Sequence, residues 1–162
     1  MLSGRFIHMD TRLDTTIQNK IENIRKRCEF DFIKLAFFQG CEMDRNIKPV
    51  YASGNRSMRY MRIVLQTRKG LAGQVLKTGR PAFVINVDEE IKQTDFHQYP
   101  IIMAEGLKSL GALPLFEESK VIGVILAGFR TKNKMTNELI ERFKSEVKLE
   151  FGSLENKELE KS

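Results

Sequence analysis

Residues 69–81 read Lys-Gly-Leu-Ala-Gly-Gln-Val-Leu-Lys-Thr-Gly-Arg-Pro. Gly70 and Gly73 bracket Leu71 and Ala72, a short apolar helix pattern runs on to Leu76, and Gly79 with Pro81 is the stop expected after a last helical turn. The first turn of this helix is stripped of bulk. Small residues there let a ligand approach backbone N–H groups that have no intrahelical acceptor, and those groups with the helix dipole favour an anion or an acceptor atom. A helix packed closely on a sheet uses the same residues, and neither Gly-Lys-Ser/Thr nor the GxGxxG spacing is present.

Upstream, Leu13, Ile17, Ile21, Ile24 and Cys28 recur every three or four residues, one face of an amphipathic helix that Asp10 or Thr11 can cap. Arg25-Lys26-Arg27 falls in its last turns, where positive charge complements the dipole, so the triplet reads as a helix end and not as a nucleic-acid patch. Residues 30–39 are largely apolar in both alternating sets, Ile33-Leu35-Phe37 and Phe32-Ala36-Phe38, which predicts a strand covered on both faces. Residues 47–52 can pair back on it, with Pro49 at an edge or bulge. Arg56, Arg59 and Arg62 follow at intervals of three, with Arg68 and Lys69 beyond. They form either a solvated basic face or a means of attracting an anion to the neighbouring helix start.

Downstream, residues 82–87 predict a strand ended by Asp88-Glu89-Glu90, and the polar residues 92–98 predict a loop. At Tyr99-Pro100-Ile101-Ile102 a proline suits the first position of a helix, leaving Ile101 and Ile102 with the first free donors of a second helix start. A plain loop-to-helix entry fits the same residues. Residues 107–116 and 121–130 are apolar strands joined through Glu117-Glu118-Ser119-Lys120 as a hairpin, with pairing at Pro114 in the first either interrupted or one-sided. Leu139, Ile140, Phe143, Val147, Phe151 and Leu154 then mark a long amphipathic helix. The pattern is α+β: an antiparallel sheet with terminal helices on one face and ligand-shaping segments on the other.

With 162 residues and 41% hydrophobic composition, the chain suits one domain over residues 11–155, flanked by flexible termini at 1–10 and 156–162. No apolar leader opens it and no run of 18 apolar residues interrupts it, which predicts a soluble cytoplasmic protein without a membrane partner. The net charge of +6 comes from 27 basic residues spread among 21 acidic ones. Dispersed in that way, and with only Tyr60 as an interleaved aromatic in the basic segment, it does not predict nucleic-acid binding. Cys28 and Cys41 match no disulfide framework or zinc spacing, and the two histidines, His8 and His97, are far apart, so neither a metal nor another cofactor is expected.

The combination Gly70-Leu71-Ala72-Gly73, Thr78-Gly79-Arg80-Pro81, Ser109-Leu110-Gly111-Ala112-Leu113-Pro114-Leu115 and Val121-Ile122-Gly123-Val124-Ile125 resembles the GAF domain over nearly the whole chain. The resemblance implies a PAS-related fold, with a central antiparallel sheet, a small-molecule pocket on one face, and terminal helices that commonly pair two chains into a homodimer. Within that family, Tyr51-Ala52-Ser53-Gly54-Asn55, Leu65-Gln66-Thr67, Tyr99-Pro100-Ile101-Ile102, Leu107-Lys108-Ser109 and Gly128-Phe129-Arg130 are similar to the stand-alone nitrate receptors of staphylococcal type. Those receptors act with a sensor histidine kinase to control nitrate respiration.

Carried onto this chain, the resemblance implies that nitrate accepts from the main-chain N–H groups of Leu71, Ala72 and Ile101, with Tyr99 and Pro100 lining the site and Tyr51 beside it. The tryptophan that such receptors place just before the Tyr-x-Ser-Gly-Asn segment is Pro49 here, and the chain has no tryptophan. Nitrite, another small anion or a neutral ligand therefore stays open. Two alternatives come from the same family: free methionine-(R)-sulfoxide reduction, which needs a reactive thiol in the pocket, and binding of a nucleotide. With Cys28 at a helix end and Cys41 in a turn, the expectation is a sensor and not an enzyme.

Overall fold

Two apolar faces of one sheet organise the molecule, and the alternation along its central strands decides which residue serves which face. The computed structural model describes residues 11–38, 50–66 and 69–161. Helix α1 (Thr11–Cys28) is followed by strands β1 (Phe32–Phe37) and β2 (Val50–Ser53), helix α2 (Gly70–Thr78) and strand β3 (Ala82–Val84). The short helices α3 (Val87–Glu90) and α4 (Pro100–Glu105) come next, then strands β4 (Ser109–Glu117) and β5 (Lys120–Phe129) and helix α5 (Asn137–Lys161). All pairings are antiparallel, in the order β2-β1-β5-β4-β3.

On one face α1 and α5 cover the sheet. Ile21, Ile24 and Cys28 of α1 and Phe143, Val147 and Phe151 of α5 are buried against Ile33 and Leu35 of β1 and Ile125 and Ala127 of β5. Phe30 stands 4.9 Å from Phe143 edge-on and 5.2 Å from Phe129, a ring cluster that closes this core. Arg27 pairs with Glu146 at 3.1 Å and Glu150 at 3.0 Å, and Arg25 donates to Ser53 Oγ, so two members of the basic triplet join the end of α1 to its neighbours. Helix α5 breaks its helical geometry at Phe151, where φ is −121°.

The other face is covered by α2, α4 and the segments between them. Phe32 and Ala36 of β1 and Val124 and Leu126 of β5 are buried there with Leu71 and Val75 of α2 and Ile101 and Ile102 of α4. Helix α2 ends at Gly79, whose φ of +71° is the left-handed cap that a glycine supplies, with its N–H donating to the Val75 carbonyl at 2.8 Å.

Two sequence expectations are corrected. The strand after residue 81 stops at Val84, because Asn86 caps a turn of helix over Asp88-Glu89-Glu90: its side chain accepts from Glu89 N–H, while Glu90 Oε2 accepts from the N–H groups of Ile85 and Asn86. The expected loop at 92–98 contains a 3-10 turn, Gln93–Gln98. Pairing at Pro114 is one-sided, the second of the two arrangements expected: Pro114 pairs with Val124, while β3 reaches only as far as Ala112, so β4 is locally an edge there and the missing N–H costs no ladder bond on that side. The hairpin turn itself is tight, with Glu118 at φ 48° and Ser119 at φ 72° between the paired Glu117 and Lys120.

Candidate functional site

A cavity of about 250 Å³ opens between the sheet and the two helix starts. Its floor is Lys34 and Ala36 of β1 with Val124 and Leu126 of β5. Its walls are residues 62–66 on one side, residues 69–72 at the start of α2, and Tyr99, Pro100 and Ile101 at the start of α4. The segment Leu71, Ala72, Tyr99, Pro100 and Ile101, drawn from two stretches separated in sequence, is thus brought to one place. Tyr51 stands apart: it packs in the core under α1 and α5, edge-on to Phe37 at 6.4 Å, on the face of the sheet away from the cavity. Pro49 lies outside the described residues.

The backbone donors follow from helix geometry. In α2 the first turn closes with Gly73 N–H donating to the Lys69 carbonyl at 3.1 Å, and no side chain caps it. The N–H groups of Gly70, Leu71 and Ala72 precede that bond and have no intrahelical acceptor. Gly70 adopts φ +72°, a left-handed entry that a residue with a Cβ rarely takes. In α4, Pro100 occupies the first position and has no N–H, while Ile102 and Met103 both donate to the Tyr99 carbonyl, at 3.1 and 3.2 Å. Ile101 is left as the donor of that turn. The two starts are adjacent, since a Cβ built on Gly70 lies 3.6 Å from the Gln98 carbonyl oxygen.

Helix α4 is anchored from behind. Glu105, fully buried, accepts through Oε1 from the Arg56 N–H at 2.8 Å and pairs with the Arg130 guanidinium. Arg130 Nε donates to the Glu105 carbonyl at 2.8 Å and Nη2 to the Gly54 carbonyl at 3.1 Å, while its own N–H donates to Asp31 Oδ2. The end of α4 is therefore tied to the beginning of β1 and the exit of β2.

Sequence periodicity missed Lys34. It belongs to the alternating set Phe32-Lys34-Ala36, is only 7% exposed, and donates from Nζ to the Ile63 carbonyl at 3.0 Å. Burial pushes its ammonium down to about 8. The signal was in the alternation itself: a lysine at an even position of a strand whose both faces are apolar must be buried. Of the basic run, Arg59 is exposed, Arg56 lies against Gly106 at the end of α4, and Arg62 and Lys69 border the cavity; Arg68 lies outside the described residues. No acidic side chain among the described residues lines the cavity.

This 162-residue chain has relatives of known structure. It is 34% identical to NreA of Staphylococcus aureus, in a structure characterised with its nitrate-binding site mutated; the match covers 73% of this chain and 86% of that one, with a TM-score of 0.65. The chain belongs to the NreA-like GAF family. The GAF/HD-domain protein of Geobacter sulfurreducens, at 17% identity and TM-score 0.64, covers 98% of this chain and 99% of that one and shares the fold. Fold alone is likewise shared with the type II free methionine-R-sulfoxide reductase of Thermoplasma acidophilum, at 12% identity, TM-score 0.63 and coverage of 88% and 92%. No protein-family profile matches the sequence, and no curated protein does.

Against this NreA-like background the thiol is placed for packing. Cys28 is buried under the terminal helices, on the face opposite the cavity, and burial pushes its thiol up to about 11. Cys41 and His8 lie outside the described residues, and His97 Nδ1 faces the Thr94 carbonyl at 3.0 Å in an exposed turn. No helix among the described residues is long and apolar enough to cross a membrane.

Proposed function

We propose that this NreA-like GAF protein is a nitrate sensor that modulates a partner sensor histidine kinase. The observation that carries the reading is the meeting of two helix starts on one cavity, and we take the N–H groups of Leu71, Ala72 and Ile101 as a common donor set beside Tyr99 and Pro100. Nitrate is flat, singly charged and spreads that charge over three oxygens, so it suits several neutral donors arranged around it. The lining supports an anion over a cation, because its ionisable side chains are Lys34, Arg62, Lys69 and Tyr99. Nitrate-dependent signalling follows if the kinase has different affinities for the empty and liganded forms. The terminal helices, with Leu149 of α5 70% exposed, are the surface assigned to pairing two copies.

Calorimetric titration with nitrate tests the ligand. A single binding isotherm, with a rise in melting temperature at millimolar nitrate, supports it; no heat and no shift at those concentrations removes nitrate. Autophosphorylation of the partner kinase, measured with the empty and nitrate-loaded protein, tests the output.

A further inference from the structure

Resting on the anion-receptor reading above, we infer that Lys34 is the charge partner of the bound ligand. Its ammonium, on the floor of the cavity, neutralises a monovalent oxyanion that the helix-start N–H groups orient.

Placement comes first. Lys34 sits in β1 opposite Ala52 of β2 and Leu126 of β5, so both flanking strands offer it hydrocarbon. An ammonium carries three N–H donors, and among the described residues Lys34 spends one, on the Ile63 carbonyl. No carboxylate among the described residues lines the cavity with it. The ionisable groups that reach the cavity from the elements around it are Arg62 from the segment after β2, Lys69 ahead of α2 and Tyr99 ahead of α4, and none supplies a negative charge. A buried cation with one hydrogen bond and no counterion among the described residues is an unfavourable arrangement that an entering anion corrects.

The hydrogen bond to Ile63 has a structural use, since it fastens the segment forming one wall of the cavity to the sheet. A neutral donor could provide that fastening. The basicity of Lys34, depressed by burial, predicts a linkage that a fastening role lacks. An anion favours the charged amine, so binding draws in a proton when the empty site has lost one. Affinity is then level below about pH 8 and falls above it, by as much as about tenfold per pH unit.

The test is calorimetric titration of the wild type and Lys34→Met with nitrate, nitrite and formate at pH 7 and pH 9.5, with thermal unfolding recorded for each protein. The wild type should bind its anion at least tenfold more weakly at pH 9.5. Lys34→Met should bind it at least tenfold more weakly than wild type at pH 7 and show no further loss at pH 9.5. Titrations at pH 8.5 in buffers of unequal ionisation enthalpy should show proton uptake in the wild type only. Equal affinity of the two proteins at pH 7, or a wild-type affinity that ignores pH, overturns the role of Lys34 while leaving the nitrate reading in place. Nitrite or formate binding with these dependences, and no nitrate binding, removes nitrate and keeps Lys34; binding of none of the three overturns both. If Lys34→Met does not fold, Lys34→Gln and the pH dependence of the wild type decide by the same criteria.

Discussion

Gly70 stands beside Gln98 where the two helix starts meet: a Cβ built on Gly70 would lie 3.6 Å from the Gln98 carbonyl oxygen, and the glycine's own φ is +72°. The donor turn of α2 therefore begins beside the approach to α4, from a backbone geometry that glycine supplies. Replacing Gly70 by alanine forces a left-handed conformation on a residue with a Cβ, which costs about 1–2 kcal/mol. Gly70→Ala is expected to lower the free energy of urea unfolding by that amount and to weaken nitrate binding more than its stability loss explains, because relaxing the entry rotates the Leu71 and Ala72 donors.

Ala72→Pro deletes one donor while leaving a residue that the first turn of a helix accommodates. Nitrate affinity should fall by about tenfold or more, equivalent to about 1.4 kcal/mol, with the melting temperature nearly kept. A folded Ala72→Pro protein with wild-type affinity in the same calorimetric titration would show that the helix start is not the donor.

Arg130→Met removes the partner of a fully buried carboxylate. Leaving Glu105 charged and unpaired costs about 3–5 kcal/mol, so this variant should be the least stable of the set in urea. Glu105→Gln keeps an oxygen for the Arg56 N–H and removes the charge, and should lose less. Backbone hydrogen exchange at Ile102 and Met103 should accelerate in Arg130→Met, since Arg130 fastens the end of the helix whose first turn carries Ile101.

Phe143→Ala opens the ring cluster with Phe30 on the helix-covered face and should cost about 3–5 kcal/mol of stability. The sheet separates this cluster from the cavity. Nitrate affinity measured well below the melting temperature should stay within about twofold of wild type, a change worth no more than about 0.4 kcal/mol.

Cys28 provides a pH test. Its thiol is raised to about 11 by burial, so at pH 8 it should react with an aromatic disulfide reagent only as fast as the protein opens, and at full speed in denaturant. A group raised in the folded state contributes stability that is intact at neutral pH and is lost as pH climbs toward about 11. Comparing unfolding of Cys28→Ala with wild type between pH 8 and pH 11 should show the wild type losing ground across that interval.

Much of this architecture could be read from residue spacing, because amphipathic periodicity is a consequence of burial on one side. Ile21, Ile24 and Cys28 in α1 and Phe143, Val147 and Phe151 in α5 fall on the faces their spacing predicts. The segments most open to misreading are those where a local cap overrides composition. Asp88-Glu89-Glu90 looks like a strand terminator, yet Asn86 and Glu90 recruit the free N–H groups and wind it into a helical turn. For the cavity, the helix starts were legible from Gly70 and Pro100, whose backbone demands are local. Tyr51 was not, since one residue of strand register decides its face and no local signal reports it. Lys34 was hidden by its apolar neighbours: a charge inside a hydrophobic run is easily averaged away, although its fate depends on whether both faces are covered.

The alternation of β1 has a consequence for how this protein can vary. Lys34 and Leu35 are consecutive residues that face opposite cores, and each is buried. Deleting or inserting a single residue in β1 would exchange them, pushing an amine under α1 and α5 and a leucine onto the cavity floor. The hydrogen-bond ladder with β5 is thus the address of the charge as well as the frame of the fold. Changes of length in this strand are closed to the protein, whereas substitutions at its individual positions remain open to selection for a different ligand.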